Sequence, residues 1–242
     1  MDFHSLLLLT GLAIPALAFQ AAPAPANITP ELRGDIMMAR KMYREAIDFY
    51  KPGADASPIL ANKTGIAYQQ LLEFSSARKY YEKAIKQNPK YAEAVNNLGT
   101  VYYATKSYRR AVEQYRKAIR LEPQSASFLS NLGTAYFARK NYNEALVLYQ
   151  QALALDPEIF EHHSTVGTTL QDRSVEETAK LHYFVAKTYA KAGSNDRALQ
   201  YIRKALEEGF KEREKFVKEP EFAALQEDPE FKVLMATEQK VL

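Results

Sequence analysis

The stretch Asn96–Tyr103 reads NNLGTVYY, and Ser130–Phe137, thirty-four residues on, reads SNLGTAYF. Near-repetition at that distance marks a chain built from stacked supersecondary units. Working outward, Gly65, Gly99, Gly133 and Gly167 are each 34 apart. So are Ala77, Ala111 and Ala145; Ala84, Ala118 and Ala152; and Pro89, Pro123 and Pro157. Tyr68, Tyr102 and Tyr136 keep the step, as do Tyr81, Tyr115 and Tyr149. Six columns on one period exclude coincidence.

Each unit reads as two helices. From Ile59 to Leu72, apolar and small residues recur at three- and four-residue steps, and a second helical pattern runs from Ser76 to Gln87. A Gly or Ala in the first helix and two Ala in the second let the pair approach closely. The tyrosines fill the remaining space, with their hydroxyls expected at the rim. Ser107 and Asn141 stand where second helices begin and are good N-caps. Pro89, Pro123 and Pro157 close the units, because proline cannot continue a helix interior.

These residues resemble the tetratricopeptide repeat (TPR), a 34-residue helix-turn-helix with a small residue and Tyr in its first helix, Ala twice in its second and a closing Pro. The resemblance covers roughly residues 30–209. It implies an all-α fold, a right-handed superhelical solenoid of antiparallel helix pairs. Eleven of the 16 tyrosines fall in three repeat columns, so the tyrosine wealth reads as core packing and not as a base-stacking surface.

The edges depart from the pattern. Gly34, Ala39, Tyr43, Ala46 and Tyr50 match the first part of a unit, but Lys51-Pro52-Gly53 cuts its second helix short. Residues 30–57 therefore read as a shortened first repeat. Near the other end, one helix at about 175–191 satisfies both templates. With Gly167 it reads as a second helix; with Ala198 and Ala205 it reads as a first. The short turn Asp172-Arg173-Ser174 favours the former, giving five repeats starting near 30, 59, 93, 127 and 161, then an extra helix at about 195–208 that Gly209 stops. The tail, 210–242, holds EPEFAAL from Glu219 and DPEFKVL from Asp228. Proline after an acidic residue starts a helix, so Phe222, Leu225, Phe231 and Leu234 become apolar anchors of a cap over the last open face.

Residues 1–18 read as an export signal: Leu6–Ala18 is a short apolar run ending in a small-x-small pattern, although Met1–Ser5 carries no Lys or Arg. An uncleaved membrane anchor is the alternative. Residues 19–29 are an Ala/Pro linker. An exported protein, periplasmic or extracellular, is expected. The whole chain has 32 Lys and Arg against 29 Asp and Glu, a net +3 too small to argue for nucleic acid or an anionic membrane. Cysteine is absent, which removes disulfides, thiolate metal sites and thiol nucleophiles.

No catalytic motif is present, and no cofactor or metal is expected. Glu161-His162-His163 lacks the spacing of a metal-binding helix, and no glycine-rich phosphate loop or nucleophile motif occurs. Asn27-Ile28-Thr29 and Asn62-Lys63-Thr64 fit the N-glycosylation pattern, the second within an expected helix, and both read as fortuitous. An enzyme is thus a distant third reading.

The TPR resemblance implies a concave groove lined by first helices, where the family binds other proteins. By offset from each repeat glycine, the groove positions are Asn62 and Ile66, Asn96 and Thr100, Ser130 and Thr134, and Ser164 and Thr168. Farther along each helix stand Gln69, Tyr103, Phe137 and Gln171, and Asn97 and Asn131 occupy the slot where the family hydrogen-bonds a ligand backbone. The groove is expected to be polar, uncharged and centred on Tyr103 and Phe137, suited to main-chain hydrogen bonds plus an apolar anchor. A Tyr103→Ala, Phe137→Ala double variant is expected to stay folded and lose its partner. The cations of a carboxylate clamp are missing, unless 175–191 is a first helix, which would bring Lys180, Lys187 and Lys191 into the groove. The function expected is a non-enzymatic protein-interaction scaffold in a bacterial cell-envelope assembly; a self-associating structural module is the alternative.

Overall fold

The computed structural model describes residues 28–161 and 174–236. Among them every regular element is helical. Helices α1 (Pro30–Ala39) and α2 (Tyr43–Tyr50) are followed by a 3-10 turn at Lys51–Gly53. Next come α3 (Pro58–Gln70) with α4 (Phe74–Gln87), α5 (Ala92–Ala104) with α6 (Tyr108–Leu121), and α7 (Ala126–Ala138) with α8 (Tyr142–Leu155). Beyond residues 162–173 lie α9 (Val175–Lys191) and α10 (Asn195–Glu207). The tail forms α11 (Glu214–Lys218), a 3-10 turn at Pro220–Leu225 and α12 (Pro229–Ala236). Residues 30–57 hold α1, an eight-residue α2 and the 3-10 turn.

One turn joins every pair. A residue with left-handed backbone stands between the helices: Lys41 (φ 60°), Leu72 (59°), Lys106 (59°), Lys140 (63°) and Gly193 (76°). The amide after it reaches back five residues, as from Ser107 to the Tyr102 carbonyl at 2.8 Å and from Ser194 to the Tyr189 carbonyl at 3.0 Å. This closure satisfies carbonyls that a helix end would leave orphaned. It also corrects the capping expectation. Ser107 and Asn141 do hold the cap positions, but their side chains make no cap bond. Their ψ angles of 55° and 71° depart from the extended backbone of Ser57 and Ser125, whose hydroxyls do cap α3 and α7.

The shared turn settles the double reading of 175–191. Its turn with α10 matches the other four, and these two helices pack along their length as α3–α4 and α5–α6 do. Helix α9 is therefore the first helix of a closing pair. The hairpin expected between it and the preceding helix falls on residues 162–173, outside the described residues.

Small residues set the spacing within each pair. A β-carbon placed on Gly34, Gly65, Gly99 or Gly133 would lie 2.2, 2.6, 2.7 and 2.7 Å from the rings of Tyr50, Tyr81, Tyr115 and Tyr149. Each tyrosine ring packs directly against the glycine sixteen residues before it. In the closing pair these two positions hold Ala186 and Ile202, both fully buried. A larger residue on the first helix is matched by a smaller one on the second. The second-helix alanines Ala77, Ala111, Ala145 and Ala198 are likewise fully buried.

Between units, α3 touches α5 and α5 touches α7, whereas successive second helices meet less. First helices therefore line the tighter, concave side. At the far end Phe222, Leu225 and Phe231 are buried and Leu234 is half-buried. Gly209 (φ 85°) stands just past the end of α10.

Gly99→Ala tests the spacing. In a free helix the change stabilises by about 0.5–1 kcal/mol. Here the methyl group meets the Tyr115 ring, and overpacking of this kind costs about 1–3 kcal/mol. Net destabilisation in urea melts is expected.

Candidate functional site

The first helices place a line of polar side chains along the concave side. Asn131 Nδ2 donates to Asn96 Oδ1 at 3.0 Å, and Asn97 Nδ2 donates to Asn62 Oδ1 at 3.1 Å. Asn96 Nδ2 lies 3.4 Å from Asn97 Oδ1, and Asn62 Nδ2 donates to the Tyr91 hydroxyl at 3.3 Å. The result is an asparagine ladder from α7 through α5 to α3.

A second set of bonds comes from behind. The Tyr115 hydroxyl donates to Thr100 Oγ1 at 3.2 Å, and the Tyr149 hydroxyl pairs with Thr134 Oγ1 at 3.2 Å. Tyr81 donates to Gln69 Oε1 at 2.9 Å and Tyr50 to Asp35 Oδ1 at 2.7 Å. The hydroxyls expected at the rim thus pass through each helix pair to its inner face. Burial raises the pKa of Tyr81 and Tyr115, so both phenols stay protonated.

The expected groove residues are brought together but not laid open. Asn62, Asn96, Thr100, Tyr103, Ser130, Asn131, Thr134 and Phe137 are all buried; Asn97 is half-buried. Thr168, Ser164 and Gln171 lie outside the described residues. Tyr103 packs against Tyr108 with centroids 5.3 Å apart, and Phe137 sits 5.4 Å from Tyr142 and 5.7 Å from Phe184. The aromatics expected as a ligand's anchor are therefore core. The double variant Tyr103→Ala, Phe137→Ala would empty that core at about 3–5 kcal/mol per ring, contrary to the expectation that it stays folded. Of the expected groove positions among the described residues, Ile66, Gln69 and Asn97 keep solvent access, half-buried in α3 and α5. Burial of Asn62 and Thr64 also withholds that glycosylation pattern from a modifying enzyme.

Charge gathers at the two ends of the line. Lys63 Nζ donates to Glu31 Oε1 at 2.7 Å and to Asp35 Oδ1 at 2.8 Å. Burial pushes the Asp35 carboxyl up, but hydrogen bonds from Lys63 and Tyr50 outweigh it and leave its pKa lowered. At the other end, counting from Ala186, the groove offsets fall on Tyr183 and Lys187. The tail occupies both. The Tyr183 hydroxyl and Lys187 Nζ (3.0 Å) donate to Glu219 Oε2, and Lys187 lies 3.4 Å from Glu221. The Tyr183 ring stacks on Phe210 at 4.7 Å. Lys180 lies 4.2 Å from the Tyr142 ring centroid. Of the three lysines that a first helix at 175–191 would bring to the groove, one is neutralised by the cap and one rests on an aromatic face. Sequence reasoning missed this closure because the acidic residues of the tail showed only as helix-start signals.

Among the described residues no group of His, Cys, Asp or Glu is arranged to hold a metal ion. His162 and His163 lie outside them.

Tetratricopeptide repeat profiles match residues 62–108, 101–140, 126–159 and 179–208. The chain belongs to the tetratricopeptide repeat family. The last match falls on α9 and α10, the pair that the shared turn identifies. Among solved structures, a crystal structure of MamA protein is similar at 21% identity and a TM-score of 0.51, covering 79% of this chain and 93% of that one. Residues 41 to the end of MamA from Desulfovibrio magneticus RS-1 are similar at 21% identity and a TM-score of 0.51, covering 72% and 89%. At this identity the likeness is one of fold. No curated protein matches the chain.

Two outcomes follow. Asn131→Ala leaves Asn96 Oδ1 buried without its donor, at a cost of about 1–3 kcal/mol in urea melts. Asp35, with its lowered pKa, stabilises the fold above its ordinary value of 3.8, and that contribution is lost as the pH falls through the folded value. Asp35→Asn therefore shows a shallower loss of stability between about pH 5 and pH 3 than the parent chain.

Proposed function

We propose that this protein is a non-enzymatic scaffold that holds a partner protein segment against the concave side of α3 and α5. The observation that carries the reading is the asparagine ladder, which is satisfied internally along its length and emerges at half-exposed Asn97. Ile66 supplies an apolar contact beside it, and Gln69 and Asn97 supply amide groups for a ligand main chain. The self-satisfied ladder and the phenol–threonine bonds hold these groups before any partner arrives, which lowers the entropy lost on binding. The cap closes the α9 end, so a partner enters from the α3 side.

Export to the cell envelope is the location this reading favours, and the apolar run Leu6–Ala18 supports it. Among the described residues no helix is long and apolar enough to cross a membrane. The repeat fold is that of a scaffold, and among the described residues no catalytic constellation stands on the concave face.

Affinity capture from the source organism's envelope tests the proposal, with Asn97→Arg as the blocked variant and Glu113→Arg, on the outer face of α6, as the control. A partner captured by the parent and the control but not by Asn97→Arg is expected. Equal capture by all three would overturn the concave-side reading. If the captured species is the chain itself and sizing shows concentration-dependent oligomers, self-association replaces the scaffold role.

A further inference from the structure

The near-neutral total hides a segregated charge. Between Phe74 and Leu121 stand eleven Lys or Arg and three Asp or Glu, a formal +8, while the 242 residues together reach +3. Most of these cations lie on the outward faces of α4 and α6, the second helices of two successive units. Arg78, Lys79, Lys86, Arg109, Arg110 and Arg120 are exposed.

The column comparison shows that the charge is not a requirement of the fold. The outer positions held by Arg109, Arg116, Lys117 and Arg120 in α6 are Asn143, Gln150, Gln151 and Ala154 in α8. Both helices pack in the same way, so the fold does not require these cations, although Arg116 does meet Tyr136. Nor are most of them used in ion pairs. Lys83 pairs with Asp55, Arg78 lies 3.8 Å from Glu82, and Arg116 donates to the Tyr136 hydroxyl. Among the described residues, Lys79, Lys86, Arg109 and Arg120 have no acidic group at ion-pair distance. The two helices form one surface, because Arg78 of α4 and Arg110 of α6 line a common cleft of 240 Å³ with Ser75 and Ser107 at the helix starts. Like charges held this close repel one another, which an anionic partner would relieve.

We propose that the outward face of α4 and α6 binds the surface of a bilayer containing acidic phospholipid. Three observations choose this occupant over a nucleic acid or an acidic protein. The charge is spread along two helices of fourteen residues each, and of its cations only Arg78 and Arg110 line the cleft between them. Tyr80, Tyr81 and Tyr115 of these helices are buried, and Phe74, Tyr102 and Tyr108 beside the cations are half-buried, so no fully exposed ring is offered for base stacking. Beside the cations, α8 exposes Val147 and Leu155 on its outer side, aliphatic groups suited to the headgroup boundary. The protein then has two working faces: the concave side for a partner and the convex side for the membrane that orients it.

The test is co-sedimentation of the full chain with vesicles of phosphatidylcholine alone or with roughly a third phosphatidylglycerol. Each cation near such a surface contributes about 1 kcal/mol, so the anionic vesicles should bind at least about tenfold better, with the preference lost as NaCl is raised. The variant Lys79→Gln, Lys86→Gln, Arg109→Gln, Arg120→Gln should lose that preference by about tenfold or more, with its thermal melt unchanged. The apolar N-terminal run is common to both chains, so any contribution it makes is the same in parent and variant. Parent binding that ignores lipid charge and salt would overturn the proposal without recourse to the variant. Equal preference in parent and variant would place the site elsewhere. Displacement from anionic vesicles by a DNA duplex or a polyglutamate peptide at far lower concentration would assign the face to that class of polyanion instead. None of these outcomes bears on the concave side.

Discussion

The contact between a first-helix glycine and a second-helix tyrosine governs the rest of this structure. With no β-carbon on Gly34, Gly65, Gly99 and Gly133, four phenol rings lie against bare backbone. That brings the two helices of each pair close enough for the buried alanines to meet. The same contact sends each hydroxyl through to the inner side of the first helix. Spacing within units and the polar chemistry of the concave face thus have one origin. Helices α9 and α10 show the constraint from the other direction, since Ala186 is accompanied by Ile202 where a tyrosine would collide.

Because the phenols finish on Thr100, Thr134, Gln69 and Asp35, much of the inner face is already engaged before a partner arrives. The asparagine ladder adds a bond from α3 to α5 and from α5 to α7, so these neighbouring repeats are coupled through polar contacts as well as apolar ones. Such coupling holds the stack in one curvature and presents a fixed, narrow surface. At the α9 end the tail answers the two groove-facing side chains, Tyr183 and Lys187, with Glu219 and Glu221. The cap thereby covers an apolar face and neutralises a buried-side lysine in one segment.

Most of the architecture was legible in the sequence because packing columns repeat. Gly99, Tyr115 and Ala111 can be recognised from their copies 34 residues away. What repeats cannot convey is where a side chain's polar end finishes. The phenols of Tyr115 and Tyr149 were expected at the rim and instead reach Thr100 and Thr134, a matter of helix separation that no spacing encodes. Tyr103 and Phe137 stand at offsets that face the groove, yet ring contacts with Tyr108, Tyr142 and Phe184 make them core. The helix at 175–191 carries both templates in its letters, and the decision lies in the left-handed turn at Gly193. The outer charge escaped a whole-chain total because cations concentrated in two helices are offset by acidic residues elsewhere.

Site-specific photo-crosslinking in the source organism tests the central claim most directly. A photoreactive amino acid at Asn97, on the concave side, is compared with one at Glu113, on the outer face of α6. The account predicts a protein adduct formed from Asn97 and absent from Glu113. The same protein captured from Glu113, with none from Asn97, would contradict it.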